Sequence, residues 1–84
     1  MDKKIEAKVA EILVNKIGLL ESEITPDANF IKDLGIDSLD YAELTMEFEQ
    51  AFDIRIPDSD AEQLSTIHQA VDYIKKKLDQ KNNP

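Results

Sequence analysis

Three groups of residues in this chain have the types and spacing to do chemistry. The first is the string Asp33-Leu34-Gly35-Ile36-Asp37-Ser38-Leu39-Asp40, in which one hydroxyl stands among carboxylates. Ser38 taken alone reads as a helix N-cap, because a serine oxygen before a helix accepts from its first free amides. The second group is Asp40, Glu43 and Glu47, which recur at the spacing of one helix face. The third is Asp58, Asp60 and Glu62, which mimic the start of a calcium loop. That reading fails on spacing, because Gln63 stands at the turn glycine and Gln69 at the closing glutamate. No metal site is expected. The single histidine, His68, falls off the apolar stripe of its helix and reads as a surface residue. There is no cysteine, so disulfides, thiolate metal sites and thiol nucleophiles of the chain's own are excluded. Acid pairs such as Asp37 and Asp40 have no base or enclosed cleft suggested for them, so an enzyme is not expected.

Four helices must position these groups. Ile5, Val9, Ile12, Leu13 and Ile17 repeat at helical spacing and predict a first helix over residues 3–17, with Asp2 as N-cap and Gly18 as stop. Residues 18–37 read as a long connection, broken by Pro26 and pinned to the core by Ile24, Phe30, Ile31, Leu34 and Ile36. A second helix is expected from Ser38 to Phe52. A short third one follows, with Ser59 and Glu62 at capping-box spacing after Pro57. The fourth starts near Thr66, where Thr66 and Gln69 repeat that spacing, and buries Ile67, Ala70, Val71, Ile74 and Leu78. Ile54-Arg55-Ile56 alternates like a strand but is too short to make a sheet. The expected fold is all-α: a four-helix bundle of three longer helices and one short helix, with a long loop between helices one and two. The domain is drawn over residues 1–78, and residues 79–84 as a frayed polar tail.

Composition narrows the function further. An 84-residue chain is one small domain, burying about 60–65% of its unfolded surface, which favours a binding or carrier role over a catalytic cleft. The net charge of −8 argues against sequence-independent nucleic-acid binding. No membrane-length apolar run or signal peptide is visible, so a cytoplasmic protein without membrane insertion is expected. The charge is uneven. Residues 20–63 hold 13 acids against Lys32 and Arg55, while both flanks are weakly basic.

On a wheel of the second helix, Tyr41, Leu44, Thr45, Phe48, Ala51 and Phe52 share the core face. Asp40, Glu43 and Glu47 share a second face with Gln50, bordered by Leu39 and Met46. A solvated face is the ordinary reading of such acids. Here no lysine stands at i+4 to compensate them, and two apolar residues flank them. That pattern suits a transient, electrostatically steered contact with basic partners.

The extended Ser38 string resembles the prosthetic-group attachment motif of acyl carrier proteins, in which aspartate-serine-leucine opens the second helix. The similarity runs from helix one to Tyr73-Ile74 and includes Phe30, Glu43-Leu44, Met46, Phe52-Asp53, Ile56-Pro57 and Asp72-Tyr73-Ile74. It implies that Ser38 takes 4'-phosphopantetheine from coenzyme A through a phosphopantetheinyl transferase (holo-synthase). Acyl intermediates then ride on the arm as thioesters, in fatty acid biosynthesis or, alternatively, as aminoacyl or polyketide cargo. A non-carrier acidic interaction module is the remaining alternative. By the same resemblance Asp37, Asp40, Glu43, Glu47 and Glu49, with Leu39 and Met46, meet basic docking patches on fatty acid synthesis enzymes and acyltransferases. The carrier is expected to work as a monomer. Phe30, Tyr41, Leu44, Phe48, Ala61, Leu64 and Ile67 are the expected acyl-chain lining. An eight-carbon chain buried there gains on the order of 6 kcal/mol before the cost of opening the bundle. Tyr41 departs from the small or β-branched residue often found near the cavity mouth. Gln50 and Ala51 replace acids often found near the end of helix two, and Lys75-Lys76-Lys77 makes helix four more basic than usual.

Overall fold

A computed structural model describes residues 3–82. The first helix, α1, spans Lys3–Ile12 and continues as a wider π-helical turn over Leu13–Ile17. The sequence pattern predicts one helix to residue 17; the helix reaches that point but loosens its pitch in the last turn. Gly18 ends it with φ 85°, a left-handed geometry that costs glycine nothing, and its amide donates to the Leu13 carbonyl. The expected cap Asp2 lies outside the described residues. A single 3-10 turn, Glu21–Glu23, interrupts the long connection. Then follow α2 (Ser38–Phe52), the one-turn α3 (Asp58–Ala61) and α4 (Ile67–Asn82). Among the described residues no strand forms; Ile54-Arg55-Ile56 is extended coil.

The core is apolar and shared by all three longer helices. Phe30, Phe48, Leu13, Leu44, Ile74, Val9 and Val71 are fully buried. They come from the inner faces of α1, α2 and α4 and, for Phe30, from the connection. Ala28 and Ile36 join them, so the connection is fixed by its side chains as expected. Ile31 does not take part: it is 51% exposed, because the turn over residues 29–34 rotates it outward between Phe30 and Leu34. Ala51, expected on the core face of α2, is likewise exposed.

The connection is also held by backbone. The Phe30 amide donates to the Ser65 carbonyl (2.9 Å), Ile67 to Ala28 (3.1 Å) and His68 to Pro26 (2.9 Å). Asn29 and Asp33 supply the turn between them: Asn29 Oδ1 accepts from the Ile31 and Lys32 amides, and Asp33 Oδ2 accepts from the Asn29 amide. Gly35 follows with φ 69°, and the Ile36 amide returns to the Phe30 carbonyl. The Asp-Leu-Gly part of the string is therefore the hinge that delivers the chain to α2.

Two capping expectations part company here. Thr66 and Gln69 form the expected box at α4, with Thr66 Oγ1 accepting from the Gln69 amide and Gln69 Oε1 accepting from the Ser65 and Thr66 amides. Ser59 and Glu62 do not. The α3 turn is too short for a box, and the Pro57 carbonyl takes the Asp60 and Ala61 amides instead. Helix α4 runs past Leu78, where the tail was expected to begin. There Lys81 Nζ donates to the Asp53 carbonyl (2.9 Å) and pairs with its carboxylate.

Candidate functional site

Ser38 is the first residue of α2 and is exposed. The N-cap is Asp37, not Ser38: Asp37 Oδ1 accepts from the Asp40 amide at 2.8 Å. The aspartate sits one residue earlier in extended backbone, where a carboxylate reaches the third helical amide. Ser38 keeps its hydroxyl free as a result. Among the described residues, the amides of Ser38 and Leu39 have no protein acceptor. With the positive end of the helix dipole, they suit an anionic group attached at that point.

The acid face of α2 is laid out as the wheel predicts. Asp40 and Glu43 are exposed and Glu47 half-buried; Leu39 and Met46 beside them are 68% and 56% exposed. Among the described residues no ion pair engages Asp37, Asp40, Glu43 or Glu47. Asp40 and Glu43 face solvent, while Glu47 lines a pocket with Lys8 and Lys16 of the first helix. Glu49 is placed apart from them, on the opposite side of the helix. Its Oε2 accepts from the Ile56 amide at 2.8 Å, which holds the turn after α2.

On the other flank of Ser38 lies an open groove of about 520 Å³ between α2 and the α3 region. Of the seven residues expected to line a cargo site, Tyr41, Ala61 and Leu64 stand on its wall. Phe30, Leu44, Phe48 and Ile67 are closed into the core behind it. Periodicity marks both sets as apolar and cannot separate a groove wall from an interior. Beside Ser38, the wall is completed by Asn29, Ile31, Ala42, Thr45, Asp58, Glu62 and Ser65, which the sequence reading missed as lining. The Ala42 and Thr45 positions could have been found, since they follow Ser38 and Tyr41 along one side of the helix.

Tyr41 spans the groove. Its hydroxyl lies 2.7 Å from both the Ala61 and the Leu64 carbonyl oxygens, so its single proton is shared between them. Its ring is tilted against Phe30 at 5.6 Å between centroids. Burial pushes its pKa up to about 12. Tyr73 is raised as well, by burial and by its hydrogen bond to Asp60. His68 is exposed, as expected, and lies 3.1 Å from the Asp72 carboxylate.

An exposed hydroxyl at a helix start, free amides beside it and a groove alongside meet in one place. The donors fit a phosphodiester, and the groove fits an acyl chain better than a charged one. The family model described as the phosphopantetheine attachment site matches residues 7–74. The acyl carrier protein of Chlorobium phaeobacteroides (strain DSM 266) is 53% identical over 74 residues, covering 88% of this chain and 95% of the relative. Those of Chlorobium phaeovibrioides (strain DSM 265) and Chlorobium luteolum (strain DSM 273) are each 51% identical with the same coverage. The chain belongs to the acyl carrier protein family. Its cofactor is 4'-phosphopantetheine, and its part is to carry acyl groups on that arm. Among the described residues no helix is long and apolar enough to cross a membrane.

Proposed function

We propose that Ser38 is the attachment residue and that the chain carries acyl intermediates in fatty acid biosynthesis. The single observation that supports this best is the exposed Ser38 hydroxyl between uncapped amides and an open groove. In the proposed loading step Ser38 Oγ forms a bond to the pantetheine-side phosphorus of coenzyme A. The nucleotide half leaves, and a base of the transferase takes the serine proton. No base of this chain is needed, and His68 is engaged with Asp72. Once bound, the arm supplies a terminal thiol that holds cargo as a thioester. The chain's own residues do three things. The Ser38 and Leu39 amides face the phosphodiester. The Asp40, Glu43 and Glu47 stripe steers basic partners, namely the transferase, fatty acid synthesis enzymes and acyltransferases. Leu39 and Met46 give those partners apolar contact beside the stripe. Asp37 contributes charge there while its carboxylate caps α2, and Glu49 acts as a tie rather than a contact.

The test is an intact mass after incubation with coenzyme A and a phosphopantetheinyl transferase. We expect one arm on the wild type and none on Ser38→Ala. An arm on both proteins, or on neither, rejects Ser38 as the attachment residue. Ser38→Ala should keep its folding stability within about 0.5 kcal/mol, because Asp37 supplies the cap.

A further inference from the structure

Tyr41 stands on the wall of the groove beside Ser38 and packs its ring on the buried Phe30. Phe30, Leu44 and Phe48 lie fully buried on one side of Tyr41. Ala42 and Ser65 lie exposed on the groove side. Tyr41 closes the gap in two ways. Its ring fills the space against Phe30, and its hydroxyl ties α2 to the carbonyls that end and follow α3. A chain passing from the groove toward Phe30 on the Tyr41 side must displace the ring and break that tie. Breaking it strands two carbonyl oxygens and a phenol in a partly buried place, which is unfavourable beyond the loss of the bonds themselves. Asn29, Thr45, Asp58, Glu62 and Ser65 make part of the open groove's wall polar.

We infer that Tyr41 is the specificity-determining residue of this carrier, confining short acyl chains to the groove and keeping long ones out of the core. The inference rests on Ser38 bearing the arm. It adds the class of cargo that the chain shelters: short acyl groups are covered, whereas the distal part of a long chain stays in solvent or with a partner enzyme. Tyr41 acts here as a bar across the route and takes no part in bond making.

The experiment loads the full chain from acetyl-, butyryl-, octanoyl- and palmitoyl-coenzyme A, with intact mass confirming each species. Hydroxylamine cleavage of each thioester then reports shelter. On the wild type we expect cleavage to slow from acetyl to butyryl and to slow no further for octanoyl or palmitoyl. On Tyr41→Ala the octanoyl thioester should be cleaved about tenfold more slowly than on the wild type, the gain of roughly two buried methylenes. Equal octanoyl rates on the two proteins overturn the inference. If a melting curve shows that Tyr41→Ala has lost its fold, Tyr41→Phe decides, since it removes only the tie. Slower octanoyl cleavage than on the wild type supports the bar, and an equal rate overturns it. If no arm adds to the wild type, the attachment reading fails and this inference falls with it. An arm that adds, with cleavage indifferent to Tyr41, overturns this inference alone.

Discussion

The two ends of α2 are finished in opposite ways. At its start one carboxylate serves the helix, and everything next to it is left open. Asp37 takes the Asp40 amide, while the Ser38 hydroxyl and the amides of Ser38 and Leu39 face outward. At its finish the chain is tied three times over. Asp53 takes a left-handed φ of 53°, and its amide returns to the Glu49 carbonyl. The Glu49 carboxylate holds the Ile56 amide, and Lys81 crosses from α4 to both oxygen types of Asp53. The difference shows where this small domain places its fixed points. Donors are left unused at the start of α2, and polar groups are satisfied in pairs at its finish, which anchors it.

Substitutions can break or sharpen that contrast. Glu49→Ala should have the largest effect. It leaves the amide of the buried Ile56 without its acceptor, for a loss of about 1–3 kcal/mol in urea unfolding. Asp37→Ala should cost less, about 1 kcal/mol, because water reaches the exposed amides that it uncovers. Arm addition to Asp37→Ala should persist. A larger loss at Asp37 than at Glu49 would reverse the assignment of open and anchored ends. The smallest effect is expected from Lys81→Ala, since Lys81 and Asp53 are both exposed and such pairs contribute little. Its pH dependence is the sharper measure. Lys81 lowers the Asp53 pKa below its ordinary 3.8. The pair's contribution is therefore complete above that value and disappears as pH falls through the depressed one. Melting temperatures of wild type and Lys81→Ala should differ at neutral pH and converge in strong acid. A difference that grew in acid would mean that another group is responsible.

Much of the fold was legible because the strong signals were long. The stripes Ile5–Val9–Ile12 and Ile67–Val71–Ile74 repeat at a period that only a helix satisfies, and both stripes are buried. What escaped was decided by short-range competition. Ser38 and Asp37 are both good caps, and only backbone position chooses between them. Ser59 and Glu62 have the right spacing, yet a one-turn helix after Pro57 has no room for their box. Nothing in Leu13–Ile17 announces a wider pitch, since its residues would serve an ordinary helix equally well. At α2, the exposed place of Ser38 at the helix start and the shared face of Asp40, Glu43 and Glu47 were legible from motif and wheel. Tyr41 could be marked as a departure, but its bonds to Ala61 and Leu64 join residues 20 and 23 positions away, beyond any local pattern.

The backbone clasp between residues 26–30 and 65–68 has a topological consequence. It makes a ring of the intervening chain, about 35 residues that include α2, α3 and the Ser38 groove. Closing a ring of that length costs about 3 kcal/mol of chain entropy plus a constant, and the cost grows only with the logarithm of its length. The fastening uses amides and carbonyls, and the buried Ile36, Leu44, Phe48 and Ile56 hold the ring to the core, so its exposed side chains are not needed to keep it shut. Residues 31–64 can therefore exchange groove walls and charge patterns, or lengthen a turn, at little cost to closure. The frame that α1 and α4 provide would stay the same around a different cargo.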